Sequence, residues 1–128
     1  MSLEYSSNEH CIVVTAYGVT PLEEVIMTFE RLAADAAFQP PANILLDARH
    51  TEYGPPSEEL EAVVNSLGKL EAFKGSRWAT VANPNTLVFG VVRVFCCLAE
   101  SEGFCIEPFS DYEAACAWLR EPESEVSL

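Results

Sequence analysis

Basic side chains are scarce in this sequence: seven Lys and Arg stand against twenty Asp and Glu, a formal charge of −13. Such a field repels phosphate backbones and anionic membrane surfaces and lacks the basic stripe that nucleic-acid binders need. Nucleic acid is not expected as a partner. Glycine is also sparse, and none of the six forms a G-x-G-x-x-G or G-x-x-x-x-G-K pattern, which excludes nucleotide binding by those loops. Long apolar runs are missing too. The most apolar stretch, Val81 to Ala99, is interrupted by Asn83, Pro84, Asn85 and Arg93, which marks a buried helix rather than a membrane span. No basic segment precedes an apolar run at the N-terminus, so no secretory signal is expected and the chain reads as cytoplasmic.

Histidine is limited to His10 and His50, which share no metal-ligand spacing with a cysteine or aspartate. No metal and no cofactor is expected. Cys11, Cys96, Cys97, Cys105 and Cys116 are odd in number and form no C-x-x-C pair, so no disulfide framework is encoded. All five fall in apolar segments, where a free thiol in a reducing compartment serves as a small buried hydrophobe. A Cys–His nucleophile is not expected, because reactive thiols need an exposed, electropositive setting.

What remains is ample apolar surface for one core: 49% of 128 residues are hydrophobic, which offsets the entropy of ordering a chain of this size. Residues 1–120 read as a single α/β domain, and 121–128, with Glu121, Glu123 and Glu125, as an acidic tail. Leu3 to Ser6 is a candidate partner strand for Cys11–Tyr17, a β-branched run closed by Gly18. Thr20-Pro21-Leu22-Glu23 looks like a capping box opening a helix to about Ala37. Ile44 to Asp47 is the next buried strand, followed by a polar loop from Ala48 to Pro56 and a helix capped by Ser57. Strand 77–82, a helix from Thr86 to Ser101, strand 104–109 and a helix opened by Ser110-Asp111-Tyr112-Glu113 complete the order. Alternation of this kind predicts a mainly parallel sheet of four or five strands, with an N-terminal antiparallel hairpin and four flanking helices.

Several of these segments together resemble the SpoIIAA-like family of bacterial proteins, within the wider group of STAS domains. They are Gly18-x-Thr20-x-x-Glu23-Glu24, Leu45-Leu46-Asp47, Pro56-Ser57-x-Glu59-Leu60, Phe89-Gly90 and Asp111-x-x-x-Ala115-x-x-Trp118-Leu119. The resemblance implies a sheet flanked by helices and a non-enzymatic regulatory or ligand-binding role. In the anti-sigma-factor antagonists of that group, a hydroxyl in the loop after the Asp47 strand is phosphorylated, and Ser57 falls near its place. Here Gly54-Pro55-Pro56 precedes Ser57 and Glu58-Glu59 follows, so the phosphorylation motif is missing. A phosphate there would also sit against two carboxylates with no Lys or Arg within seven residues.

In a parallel sheet, the loops at Asp47–Ser57, Asn83–Thr86 and Pro108–Ser110 gather at the C-terminal edge, where open α/β sheets bind ligands. Asp47, Arg49, His50, Tyr53, Asn83 and Asn85 are the candidate ligand-binding residues. Asp47, Arg49 and His50 would also be the acid–base groups of an enzyme, the least favoured reading. On the helix from Thr86, Leu87, Val91, Val94, Phe95 and Leu98 form a core stripe, leaving Phe89, Val92, Arg93 and Cys96 as a surplus face. That face suits full burial, a homodimer contact or the wall of a small apolar or lipid-like ligand site. The functional expectation is a non-catalytic STAS-like regulatory or binding protein, or a carrier of such a ligand.

Overall fold

A computed structural model of the chain describes residues 3–7, 11–35, 43–53, 57–70, 73 and 75–120. The elements are β1 (Leu3–Ser7), β2 (Ile12–Val19), α1 (Leu22–Ala34), β3 (Ile44–Tyr53), α2 (Ser57–Gly68), β4 (Arg77–Val81), α3 (Leu87–Ser101), β5 (Cys105–Phe109) and α4 (Tyr112–Arg120). They form one five-stranded sheet in the order β1-β2-β3-β4-β5. The expected hairpin is present, with β1 antiparallel to β2 and Leu3 opposite Ala16. All other pairings are parallel. Beyond the hairpin each crossover steps one strand in the same direction, and right-handed connections of that kind place their helices on one face. Accordingly α1, α2 and α3 share a large core with the sheet through Phe29, Leu32, Leu60, Val64, Phe95 and Ala99. The opposite face carries α4, whose Ala115 and Leu119 pack on Leu45, Ala79 and Val81.

The larger core is centred on aromatics. Phe29, Phe73 and Trp78 are fully buried, with centroids 5.3 Å (Phe29–Trp78), 5.4 Å (Phe73–Trp78) and 5.9 Å (Phe29–Phe73) apart, and Phe104 packs edge-on to Trp78 at 5.8 Å. β4 is buried at every position, as a parallel strand covered on both faces requires. β5 is an edge strand and carries Pro108.

Four local expectations need correction. Thr20 does not cap α1: Pro21 holds the N-cap position in an extended conformation and its carbonyl receives the amides of Glu24 and Val25. The helix ends at Ala34 rather than Ala37, because Asp35 turns extended. Asp111 rather than Ser110 caps α4, its Oδ1 accepting from the Glu113 amide at 3.3 Å. β3 does not end at Asp47 but runs on to Tyr53, since β2 continues past Tyr17 and supplies a ladder for it, with irregular register at Thr15/Tyr17 and Gly18/Val19. Gly18 takes φ 58° there, a left-handed conformation that favours glycine.

The stripe on α3 is also rotated. Val92, Phe95, Cys96 and Ala99 are the buried face, whereas Leu87 is 91% and Val94 40% exposed. Val92 and Cys96, assigned to the surplus face, therefore belong to the monomer core, and Phe89 is half-buried against it. An almost uniformly apolar helix has no charged face to fix its rotation from sequence. The thiols divide as well: Cys11 and Cys96 are buried and Cys116 half-buried, but Cys97 and Cys105 are exposed.

Truncating the aromatic centre should be costly. Phe29→Ala is expected to lower stability by about 3–5 kcal/mol. Met27→Ala on the exposed flank of the same helix should change it by less than about 0.5 kcal/mol. Urea unfolding of the two variants tests the assignment.

Candidate functional site

At the C-terminal edge the extension of β3 assembles a compact polar cluster. Asp47 is 4% exposed, on the α4 side of the sheet. Arg49, two residues on and so on the same face, donates from Nε to Oδ1 at 2.9 Å and from Nη2 to Oδ2 at 2.8 Å, while its backbone amide donates to Oδ1 at 3.1 Å. The guanidinium carbon lies 4.5 Å over the Tyr112 ring at the start of α4. Asn83 Nδ2 donates to the Arg49 carbonyl at 3.1 Å, which ties the turn after β4 to β3. The cluster therefore locks three segments together: β3, the β4–α3 turn and α4.

Its electrostatics follow from that geometry. Burial alone would raise the Asp47 pKa, but the side-chain and backbone hydrogen bonds from Arg49, with its positive charge, hold the carboxyl below its ordinary value. Hydrogen bonding to Asp47 raises the Arg49 pKa against the opposing effect of burial. Burial, followed by the neighbouring Cys116, raises the Tyr112 pKa, and burial followed by Glu113 raises that of Cys116. Both Asp47 oxygens are engaged by a permanent cation, a poor arrangement for a group that must give and take protons.

Of the residues proposed from sequence, Asp47, Arg49 and Asn83 come together. His50 joins a different contact, its ring stacked on Tyr17 at 5.8 Å and 14°. Asn85 is exposed and sits in the turn with φ 64°, and Thr86, not Asn85, caps α3 by accepting from the Phe89 amide at 3.1 Å. The Tyr53 and Ser57 side chains, and His10, lie outside the described residues. Sequence reasoning missed Tyr112. Its place at the first turn of α4, just past the β5 end, was the available signal. Cys96, buried and 3.3 Å from Thr80 Oγ1, has its thiol pushed up to about 11, chiefly by burial, and remains a neutral core group. No group of three or more candidate metal ligands occurs among the described residues, and no helix there is long and apolar enough to cross a membrane.

No family model and no curated protein matches the chain. Among solved structures, an uncharacterised protein of the DUF3478 family with a SpoIIAA-like fold, from Shewanella loihica PV-4, is similar over 91% of each chain, with TM-score 0.58 and 19% identity. The chain has a SpoIIAA-like fold. The likeness at that identity concerns the fold, and the mixed sheet with four helices agrees with it. In this SpoIIAA-like frame the Asp47–Arg49 pair lies where β3 outruns β4, since their pairing stops at Asp47–Val81.

Removing the cation should expose the buried carboxylate. Arg49→Met is expected to destabilise the protein by about 2 kcal/mol at pH 7. Because Asp47 titrates below its ordinary value of 3.8, its stabilisation is present above that pH and is lost as pH falls through the folded-state pKa. The gap between wild type and Arg49→Met should therefore narrow below about pH 4, and a gap independent of pH from 3 to 7 would overturn the assignment.

Proposed function

We propose that this protein is a non-catalytic binding module that holds a small apolar group between its sheet and α1–α3. The observation that carries this reading is a chamber of about 90 Å³ to which no polar atom presents surface. Its walls include Ala16, Phe29, Leu46, Ala48, Leu60 and Val92. Thr20 Oγ1 and Thr51 Oγ1 are buried in the same wall without a hydrogen-bond partner among the described residues. Apolar pockets accept apolar guests. The volume suits a few heavy atoms, such as the end of an acyl chain or a single ring. The engagement of Asp47 by Arg49 supports a non-catalytic role.

Native mass spectrometry of freshly purified protein should show a retained apolar ligand. Ala48→Leu, which adds three carbons to the chamber wall, should release it. An empty wild-type protein whose Leu60 and Val92 methyl resonances do not respond to hexane would refute the reading.

A second observation favours self-association. Leu87, Gly90, Val94 and Cys97 are exposed along one side of α3, and a Cβ built at Gly90 meets nothing within 4 Å. Arg93 and Glu100 lie seven residues apart on one flank, so two antiparallel copies of α3 would set each Arg93 beside the other copy's Glu100. Light scattering should then give twice 14.1 kDa, and Val94→Glu should give the monomer. A wild-type monomer at high concentration would refute the contact.

A further inference from the structure

We propose a second ligand site, at the opposite, N-terminal edge of the sheet, for a small uncharged molecule that pairs an aromatic or apolar body with a carbonyl-type acceptor. A cavity of about 390 Å³ opens there between the ends of α2 and α3 and the start of β5, lined by Leu67, Phe73, Ser76, Glu102, Phe104 and Cys105. That volume falls in the range of small-molecule sites, unlike the 90 Å³ chamber.

One unsatisfied hydroxyl marks the site. Ser76, which lines the cavity, is 4% exposed and its hydroxyl has no hydrogen-bond partner among the described residues. Two residues along the chain, Trp78 is 1% exposed and meets the cavity wall through Phe73 and Phe104 rather than lining it. Between them Arg77 points the other way, its guanidinium 4.4 Å over Trp118 on the α4 face. Strand alternation therefore puts Ser76 and Trp78 on the same, helix-covered face. Buried polar groups are rarely left without partners, and a serine hydroxyl can donate to an acceptor. A carbonyl-type oxygen in the cavity would complete Ser76.

The walls set the rest of the ligand's chemistry. Phe73 and Phe104 both line the cavity and both stand edge-on to Trp78, at 5.4 and 5.8 Å, which offers ring surface to a flat apolar body. α2 ends at the cavity with Gly68, and the turn that follows α3 lines it with Glu102 and Gly103, so the negative ends of two helix dipoles and the Glu102 carboxylate oppose an anion. An amide or ketone oxygen fits where a carboxylate does not.

Benzamide is the probe, with benzoate and toluene as controls, and the full chain is followed through its two tryptophan indole N–H resonances, assigned with Trp118→Phe. Benzamide should shift the Trp78 resonance saturably through the Phe73 and Phe104 rings that touch it, benzoate should not, and toluene should bind more weakly. Ser76→Ala should weaken benzamide binding roughly three- to tenfold, the value of one hydrogen bond. Its melting temperature should not fall, because the variant loses an unpaired hydroxyl. Ala48→Leu should leave benzamide binding unchanged, which separates this site from the apolar chamber. A Trp78 resonance that does not move, equal binding of toluene, or full affinity in Ser76→Ala would overturn the proposal.

Discussion

The handedness of the crossovers governs this molecule. With β2 to β5 laid down in sequence order, a right-handed path can only return on one side, so three helices crowd one face of the sheet. α4 follows the last strand and is left to cover the other face. The imbalance explains the two unequal cores, one large and aromatic, the other small and built around Leu45, Ala79 and Ala115. Each end of the three-helix layer keeps a space: an apolar one beside the start of α3 and a larger one where α2 and α3 stop.

Against that background the polar cluster on the α4 side works as a clasp. A nine-residue helix has little apolar surface with which to hold its position. The smaller core is therefore reinforced at both ends of α4 by arginine over an aromatic ring, Arg49 on Tyr112 and Arg77 on Trp118. In a chain with seven basic residues against twenty acidic ones, two of those cations are committed to this one junction. Asp47 keeps the first of them aligned. Asn43 reinforces the far end, its Nδ2 donating to the Leu119 carbonyl at 3.0 Å and its Oδ1 accepting from the Arg77 amide at 3.0 Å.

The element order and parallel sheet were legible because apolar runs and breakers are local signals: Gly18, the Asn83-Pro84-Asn85 interruption and the β-branched run Cys11–Tyr17 all act where they stand. The errors arose where a distant partner decides. β3 continues past Asp47 because β2 is there to pair with it, a fact that the polar letters of Ala48–Tyr53 do not contain. The rotation of α3 is set by which side the sheet occupies, and a helix apolar all round gives no local clue. At the site, Asp47, Arg49 and Asn83 were found because strand ends in a parallel sheet share an edge. Tyr112 was missed because a ring stacked under a guanidinium is a tertiary contact with no spacing rule. The unpaired Ser76 hydroxyl was invisible for a related reason: an unsatisfied group is recognised only when everything around it is in place.

Pro108 has a consequence for how the protein lives in a crowded solution. It sits in β5, a five-residue strand at the margin of the sheet, and has no amide hydrogen to offer. A foreign strand seeking to extend the ladder there meets a gap in the donor row, a protection against amyloid-type stacking that natural sheets use repeatedly. Growth of the sheet across that margin is thereby discouraged, and any assembly on this side of the molecule is directed to helix surfaces.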